Sequence, residues 1–377
     1  MALSVRGRLF HLTCRCAAAV LAVTVITAGA ACSGDESRTA SAPAGTGAES
    51  AATATDGHLP AAADSMHDQL AASGGGPVRA RGTLIVSNEA ANTLSFIDPV
   101  TDSVFATVPV GDRPRGLAVS PDGKTVYVAL GRDNAVAVVD VATQVIKGKI
   151  AAGTDPQQIA VHPDGNTFYV SNETTGMVTA VDIASKGIRF SVAVGAAPGG
   201  IAVTPDGQNV YVTCESAGNV AVVDARTGKT RTQLTVGARP RFIAFTHDGA
   251  YALITSESGG SVAIVDLPKA IVLKRVSIGD SARPAGVTFS PDDETAYLAD
   301  DRSDRISEFS MDALVVTDTI RVGDHPWGVA LNASGSVLYS ADTRSDAVSV
   351  VDVVHHRLLR TIRVGERPYT VVIARRD

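Results

Sequence analysis

The sequence predicts an all-β fold, a seven-bladed β-propeller of four-stranded antiparallel blades, and three observations predict it. Seven prolines recur every 42 residues, with one interval of 44, at Pro114, Pro156, Pro198, Pro240, Pro284, Pro326 and Pro368. Four short apolar segments with period-two alternation lie between successive prolines. The first and last units are incomplete in complementary ways. Repeats of about this length with four strands each are typical of propeller blades.

The strands of one unit can be read directly from its sequence. The unit that follows Pro114 contains GLAVS, TVYVAL, AVAVVD and VIKGKI, and the next contains QIAVH, TFYVSN, MVTAVD and IRFSVA. Turn residues separate these segments, so each is predicted to be one strand. A single four-stranded sheet cannot bury both of its faces, and we therefore expect neighbouring blades to pack against each other in a ring.

The two ends of the repeat region are predicted to form one blade together. TLIVSN, TLSFID and SVFATV supply three strands at the N-terminal side, and YTVVIA supplies a lone first strand at the C-terminal side. When the C-terminal strand joins the three N-terminal strands, the ring has seven complete blades. Closure also removes free sheet edges, which otherwise invite aggregation.

Several segments resemble a known family. FYVSNE, VYVTCESAGNVAVVD and VYVALGRDNAVAVVD are similar to the repeats of the YVTN-repeat (YncE-like) β-propeller family, and the resemblance covers Arg81 to Asp377. It implies an exported or surface propeller of bacteria or archaea. At the level of the fold, it also implies a relation to the propellers of quinoproteins, haem d1 enzymes and lactonases. Because propellers host many unrelated activities, it does not define a function.

Residues 1–31 have the pattern of an export signal. Arg6 and Arg8 precede a long apolar run, and small residues lead to Cys32. This pattern resembles a bacterial lipoprotein signal, in which the cysteine is lipidated and becomes the first residue of the mature chain. Gly29 stands where such signals usually carry Leu, so a plain secretory signal is the alternative. Either signal places the protein outside the cytoplasm, anchored to the outer face of the membrane by lipid or secreted.

The segment 32–78 is rich in Ala, Ser, Thr and Gly and has no apolar period. Such a composition predicts a flexible tether, with the propeller occupying 79–377. Cys14 and Cys16 leave with the signal, and lipidation of Cys32 leaves Cys214 as a lone thiol, which excludes a disulfide framework.

The charge balance excludes a general nucleic-acid-binding surface. The formal net charge is −6, and from Arg79 onward 29 Lys and Arg stand against 33 Asp and Glu. A phosphate-binding protein is expected to be basic. We therefore expect no nucleic-acid partner, and a monomer.

Several recurring motifs are interpreted as structural. The SPDG segment, Ser120 to Gly123, has the residues of a tight turn. An aspartate that closes the third strand is expected to accept backbone N–H bonds from the following turn, as at Asp140. His355 and His356 are adjacent on a turn and are not expected to converge on a metal.

The loops on the opposite face carry two rings of charge. The positions before the prolines hold Arg113, Asp155, Ala197, Arg239, Arg283, His325 and Arg367, and the positions after them hold Arg115, Gln157, Gly199, Arg241, Ala285, Trp327 and Tyr369. The loop between second and third strands contributes Glu89, Glu173, Glu215, Glu257 and Asp301 at one aligned place. One interpretation is a structural network of ion pairs. The other is a polar funnel that binds a ligand.

Broken symmetry supports the second interpretation. His325, Trp327 and Tyr369 lie on two adjacent blades as a predicted aromatic wall at a wet opening, whereas Ala197 and Gly199 leave the far side nearly empty. The predicted ligand-binding residues are His325, Trp327, Tyr369, Arg113, Arg239, Arg283, Arg367, Glu173, Glu215 and Glu257. No catalytic or metal-binding set is predicted.

The function favoured by the sequence is a non-catalytic binding or scaffold module, which takes a protein, a glycan or a small anionic ligand at the funnel. No GxSxG or HExxH motif occurs. Two alternatives remain: a lactonase- or lyase-like enzyme with His325 as acid or base, and an accessory subunit of a periplasmic-type quinoprotein redox system. The sequence does not identify a cofactor.

Overall fold

A computed structural model describes residues 82–375, and within this range the chain forms seven four-stranded antiparallel sheets. The predicted fold class is therefore confirmed. One short 3-10 helix, Glu215–Ala217, accompanies the strands. The predicted signal 1–31, the tether 32–78 and the lipidation site Cys32 lie outside the described residues and stay predictions.

The strands of each blade are ordered from the axis of the ring outward. Blade 1 consists of β28 (Pro368–Ala374), β1 (Thr83–Asn88), β2 (Thr93–Asp98) and β3 (Ser103–Pro109). Blade 2 consists of β4 (Pro114–Val119), β5 (Thr125–Leu130), β6 (Ala135–Asp140) and β7 (Ile146–Ala151). Blade 3 consists of β8 (Pro156–Val161), β9 (Thr167–Asn172), β10 (Met177–Asp182) and β11 (Ile188–Ala193). Blade 4 consists of β12 (Pro198–Val203), β13 (Asn209–Cys214), β14 (Asn219–Asp224) and β15 (Thr230–Thr235).

The remaining three blades follow the same plan. Blade 5 consists of β16 (Pro240–Phe245), β17 (Tyr251–Ser256), β18 (Ser261–Asp266) and β19 (Ile271–Ser277). Blade 6 consists of β20 (Pro284–Phe289), β21 (Thr295–Asp300), β22 (Arg305–Ser310) and β23 (Val315–Arg321). Blade 7 consists of β24 (Pro326–Leu331), β25 (Val337–Asp342), β26 (Ala347–Asp352) and β27 (Arg357–Arg363). The first strands of neighbouring blades contact each other in a closed circuit, so they surround the axis.

The ring closes through backbone pairing between the two ends of the repeat region. The strand β28 pairs antiparallel with β1, with Leu84 opposite Ile373, Ile85 opposite Val372 and Val86 opposite Val371. This is the predicted closure, in which one blade is completed by the last strand in the sequence.

The hydrophobic core consists of seven layers, one between each pair of neighbouring blades. Period-two alternation explains this arrangement, because successive residues of a strand point to opposite faces of its sheet. In β9, Phe168 packs toward blade 2 and the next residue, Tyr169, packs toward blade 4. Each strand thus serves two core layers, and no blade can bury its apolar residues without both neighbours.

The recurring Asp motifs are structural, as predicted. Ser120 Oγ and the Lys124 N–H both donate to Asp122 within the SPDG turn, and Gly123 has a φ of 70°. At the end of the third strand, Asp140 accepts the backbone N–H and the hydroxyl of Thr143. Such bonds fix the turns through which the chain reverses. Within residues 82–375, no helix is long and apolar enough to cross a membrane.

Candidate functional site

The site is built by a repeated distortion of the inner strands. In every blade the pairing between first and second strands shifts register just after the proline, as between Pro114 and Leu117 of β4. Such a bulge removes residues from the ladder and re-aims their side chains. In each blade, the bulge frees the residue after the proline from strand pairing. Five of the seven residues at this position line an axial cavity.

The position before each proline is fixed by its own backbone. Six of these seven residues, His325 among them, have a φ between 51° and 60°. In four blades the N–H at this position donates to a side chain of the preceding blade, as from His325 to Asp304 Oδ1 at 3.0 Å. Its carbonyl accepts the N–H of the first residue of the loop between second and third strands, and this second bond occurs in all seven blades. The backbone thereby holds the two charged rings in contact.

A cavity of about 240 Å³ lies where the rings meet. Seven of the ten predicted ligand-binding residues line it: His325, Trp327, Tyr369, Arg239, Arg367, Glu173 and Glu215. The other three, Arg113, Arg283 and Glu257, are not among its lining residues. Sequence reasoning placed Glu89, Arg115, Gln157 and Arg241 in the rings but not among the candidates, and it missed Thr343. Thr343 occupies the aligned carboxylate position in blade 7, which was the signal that could have found it.

The arginines form two tiers, and the inner tier is committed to carboxylates. Arg115 binds Glu89 at 2.7 Å and Glu173 at 3.0 Å, and it also donates to Gln157. Arg241 binds both Glu215 and Glu257. Both guanidinium groups are nearly buried, and each joins carboxylates of two blades. These contacts are structural ion pairs. For Arg115 and Arg241 they agree with the first of the two interpretations of the charged rings, a structural network.

The outer tier is held loosely. Arg239 lies 3.5 Å from Glu257 and 3.6 Å from Glu215, and Arg367 lies 3.6 Å from Glu89. Arg283 lies 3.9 Å from Glu257. About half or more of each of these three side chains is exposed. Because a guanidinium carries five N–H donors, such contacts leave donors free to face the cavity mouth.

Burial and charge set the ionisation of the ring carboxyls in opposite directions. Burial by itself raises the pKa of Glu89, but Arg115, Arg367 and Arg113 bring that pKa below its ordinary value. For Glu215, burial outweighs Arg241 and Arg239, and the neighbouring Glu173 and Glu257 add to it, so the pKa is raised. The ring carboxyls therefore differ in how readily they ionise.

The aromatic residues fill the axis, which differs from the open wall that the sequence predicts. The Trp327 side chain is only 7% exposed. The His325 ring stacks on it with centroids 5.8 Å apart, Tyr369 lies 5.6 Å away, and Phe242 meets its edge at 6.1 Å. The far side is not empty either, because the Glu215 carboxylate lies close against Gly199. Side chains from opposite blades meet in this narrow channel.

Asp301 differs from the other four ring carboxylates. It is 3% exposed, and its Oδ1 atom has no hydrogen-bond partner within the described residues. Its Oδ2 atom lies 3.7 Å from His325 Nε2. Burial, reinforced by Glu257, raises the pKa of Asp301 to about 6. Burial and the nearby Arg344 lower the pKa of His325, which favours the neutral imidazole, the form that can accept a proton.

Among residues 82–375, no three His, Cys, Asp or Glu side chains are grouped so that they could hold a metal ion. His355 and His356 diverge, since the first pairs with Asp352 at 2.8 Å and the second with Glu308 at 3.0 Å. Cys214 is a free, buried thiol, and burial raises its pKa to about 11.

Comparisons with protein families add two matches. A family model described as a YNCE-like beta-propeller matches residues 77–267, and one described as a lactonase, 7-bladed beta-propeller, matches residues 201–364. No curated protein matches the chain. The first match covers half of the chain.

Solved structures share the fold at low identity. Hydrazine synthase from Kuenenia stuttgartiensis is 22% identical with a TM-score of 0.59, over 68% of this chain and 88% of that one. A putative 6-phosphogluconolactonase from Bacteroides fragilis is 17% identical with a TM-score of 0.66, over 78% and 98%. The dihydro-heme d1 dehydrogenase NirN is 15% identical with a TM-score of 0.60, over 81% and 78%.

Proposed function

The chain belongs to the YNCE-like β-propeller family, and from this premise we propose that it is a binding module for a small anionic ligand at the mouth of the axial cavity. One observation carries the proposal: Arg239 and Arg367 line the cavity with loosely held, exposed guanidinium groups, whereas Arg115 and Arg241 are committed to carboxylates. A carboxylate or phosphate group is the ligand chemistry that free guanidinium donors recognise best.

The size of the cavity limits the ligand. At about 240 Å³ it is smaller than the roughly 300–1,000 Å³ of pockets for drug-sized ligands. The ligand is therefore a small metabolite or the end group of a larger one. The carboxylates Glu173 and Glu215 also line the cavity and would accept hydrogen bonds from hydroxyl groups of the ligand.

The test is calorimetric titration of the purified protein with small sugar acids and sugar phosphates. Saturable binding is expected, and the double variant Arg239→Ala/Arg367→Ala should lose it. Arg363→Ala, on the exposed outer strand of blade 7, is the matched control and should bind as wild type. Undiminished binding by the double variant, or no binding of any of these anions by wild type, overturns the proposal.

The likeness to the lactonase model supports a second candidate, a lactone hydrolase. The matched range 201–364 includes Glu215, Asp301 and His325. In this reaction water attacks the ring carbonyl, the ring C–O bond breaks, and a hydroxy acid forms. His325 would take the proton from water, and an outer-tier arginine would hold the product carboxylate. A measured turnover of 6-phosphogluconolactone that His325→Ala abolishes supports the enzyme, whereas binding without turnover supports the module.

The redox alternative gains no comparable support, because the likeness to the heme d1 dehydrogenase concerns the fold alone. We also propose that Cys32 is lipidated and that the tether carries the propeller outside the cytoplasmic membrane. A Cys32→Ser chain should appear in the medium instead of the membrane fraction. If Cys32→Ser stays with the membrane, the lipid anchor is excluded.

A further inference from the structure

A second depression lies beside the axial cavity, between the loops of blades 6 and 7. Its volume is about 340 Å³, and the basic residues that line it are Arg283, Arg302, Arg344 and His325. Of these, only His325 also lines the axial cavity. The depression is therefore a separate concave surface on the same face of the propeller.

The guanidinium groups of this depression are largely unused. Within residues 82–375, neither Arg302 nor Arg344 forms an ion pair or a side-chain hydrogen bond, and both are exposed. Arg283 has a single long contact, 3.9 Å to Glu257. By contrast, Arg305, on the neighbouring strand β22, is paired with Asp300 at 3.3 Å. Three cations thus converge on one depression with few partners.

Three carboxylates, Asp301, Asp304 and Asp324, share the lining, but none of them forms an ion pair with its arginines among the described contacts. Asp304 Oδ1 accepts the backbone N–H of His325 at 3.0 Å, so it serves the loop backbone. Asp324 also lines the depression, without an ion pair to any of its arginines among the described contacts. Three guanidinium groups therefore share the depression with three carboxylates, of which Asp304 is bound to the loop backbone and Asp301 is buried.

Asp301 is the most buried carboxylate of this lining, and its isolation has a cause in the repeat. Glu257 and Glu215 each reach Arg241, and Glu89 and Glu173 each reach Arg115. For Asp301 the inner-tier positions of its own and the next blade hold Ala285 and Trp327, and Arg241 of the preceding blade is paired with Glu215 and Glu257. Its carboxyl is left buried and without a hydrogen-bond partner on Oδ1, next to His325.

We propose that this depression binds an oxyanion, a carboxylate or phosphate group, through Arg302, Arg344 and Arg283, with His325 at its inner edge. Guanidinium forks match the geometry of such groups and supply several N–H donors each. Asp301 lines the depression with only 3% of its surface exposed. It acts mainly through His325, as a positioning residue, because a buried carboxyl 3.7 Å from the imidazole orients that ring at the inner edge of the site.

This site goes beyond the proposed function, because the ligand of the axial cavity contacts Arg239 and Arg367 and not Arg302 or Arg344. Either site can be occupied while the other is empty. Separate substitutions of the two arginine pairs distinguish the sites, so failure of one proposal leaves the other standing.

The experiment uses sulfate as the probe, because its charge stays constant between pH 5 and pH 8. Binding is followed by the fluorescence of Trp327, the one tryptophan in the chain, which stacks on His325. Ionic strength is kept constant with sodium chloride, so that screening does not imitate binding. Wild type should show saturable binding, and Arg302→Ala/Arg344→Ala should weaken it at least tenfold, since two charged hydrogen-bond partners are lost.

The matched control is Arg363→Ala, on the exposed outer strand of blade 7, which should keep the wild-type sulfate affinity. Arg239→Ala/Arg367→Ala removes the outer-tier donors of the axial cavity, so the sulfate binding that it retains reports the depression. Unchanged affinity in Arg302→Ala/Arg344→Ala, or no residual binding in Arg239→Ala/Arg367→Ala, overturns the proposal. Because these arginines are exposed, all these variants are expected to fold. Thermal melting curves that overlay the wild-type curve confirm it.

The pH dependence of sulfate binding tests the part played by Asp301. Its carboxyl is faced by Glu257, Asp300, Arg283, Arg241 and His325. As the pH rises from 5 to 8, Asp301, whose pKa burial raises to about 6, ionises and makes the site less positive. The wild-type affinity should fall about fivefold, and less in Asp301→Asn, which keeps a neutral side chain throughout. An affinity that is constant or rises with pH contradicts this role.

Discussion

The Arg241 guanidinium lies 5.0 Å from the centroid of the Trp327 ring, although the two residues belong to blades 5 and 7. The intervening blade contributes only the methyl group of Ala285 at the same level, and this leaves room for the contact. The His325 ring also stacks on the indole, with centroids 5.8 Å apart. Trp327 is therefore a central packing residue of the axis, in contact with both a cation and an imidazole.

We expect Trp327→Ala to destabilise the protein by about 3–5 kcal/mol, because it removes a large buried side chain from a channel that cannot collapse. Trp327→Phe, which keeps a ring in the channel, should cost clearly less. Urea unfolding followed by circular dichroism measures both. A loss below about 1 kcal/mol for the alanine variant would instead support the wet, open position that the sequence predicts.

The two tiers of arginine predict a contrast within one tripeptide of the chain. Arg241→Ala should cost about 3–5 kcal/mol, because it leaves the buried Glu215 and Glu257 carboxylates without their main partner. Arg239→Ala should cost less than about 1 kcal/mol, since its ion pairs are long and exposed. Chemical denaturation of the two variants in parallel is the measurement. Equal losses would remove the distinction between the tiers.

Asp342 predicts a pH-dependent stability. The carboxyl is fully buried, accepts hydrogen bonds from Ser340 and Ser349, and burial raises its pKa to about 6. Between about pH 4 and pH 6 the folded state holds this proton more tightly than the unfolded state, so its contribution to stability is lost as the pH rises through 6. Asp342→Asn removes this loss and should gain on wild type by about 2–3 kcal/mol between pH 4 and pH 7.

A matched control for Asp342 exists in blade 3. Asn172 occupies the aligned position and is also buried, with hydrogen bonds to Ala152 and Thr179. Asn172→Asp should introduce the same kind of buried carboxyl. The variant should therefore lose stability as the pH rises through 6. Unfolding curves at pH 4, 5, 6 and 7 test the pair. If the two substitutions shift stability in the same direction with pH, the burial argument is wrong.

Ring closure predicts a specific mode of failure. Val371 of β28 is buried between blades 1 and 7, and its strand is joined to β1 by hydrogen bonds alone. Val371→Asp should release β28 and expose the edge of β1, which promotes association. Light scattering at increasing concentration should detect oligomers. Ile243→Asp, at the equivalent place in β16, whose blade the chain connects at both ends, should lower stability without the same association. Monodisperse Val371→Asp would contradict the argument.

The fold was predictable because its signal is repeated seven times, so that drift at one copy is corrected by the others. The cavity was predictable in part for the same reason, since aligned positions in a repeat share a location. The depth of Trp327 was not predictable, because it depends on the small Ala285 of one blade and on Arg241 across the axis. Nor could the spacing distinguish Arg241 from Arg239, since a register shift of the strand after the proline decides which side chain faces inward.

The pairing of β28 with β1 also has a consequence in time. About 260 residues separate the end of β3 from the start of β28, so the blade that is synthesised first is completed last. At roughly 5–20 residues per second, its three early strands wait on the order of 13 to 50 seconds for their partner. During that interval the apolar edge of β1 is exposed, and it is the part of the nascent chain that most needs a chaperone to prevent association.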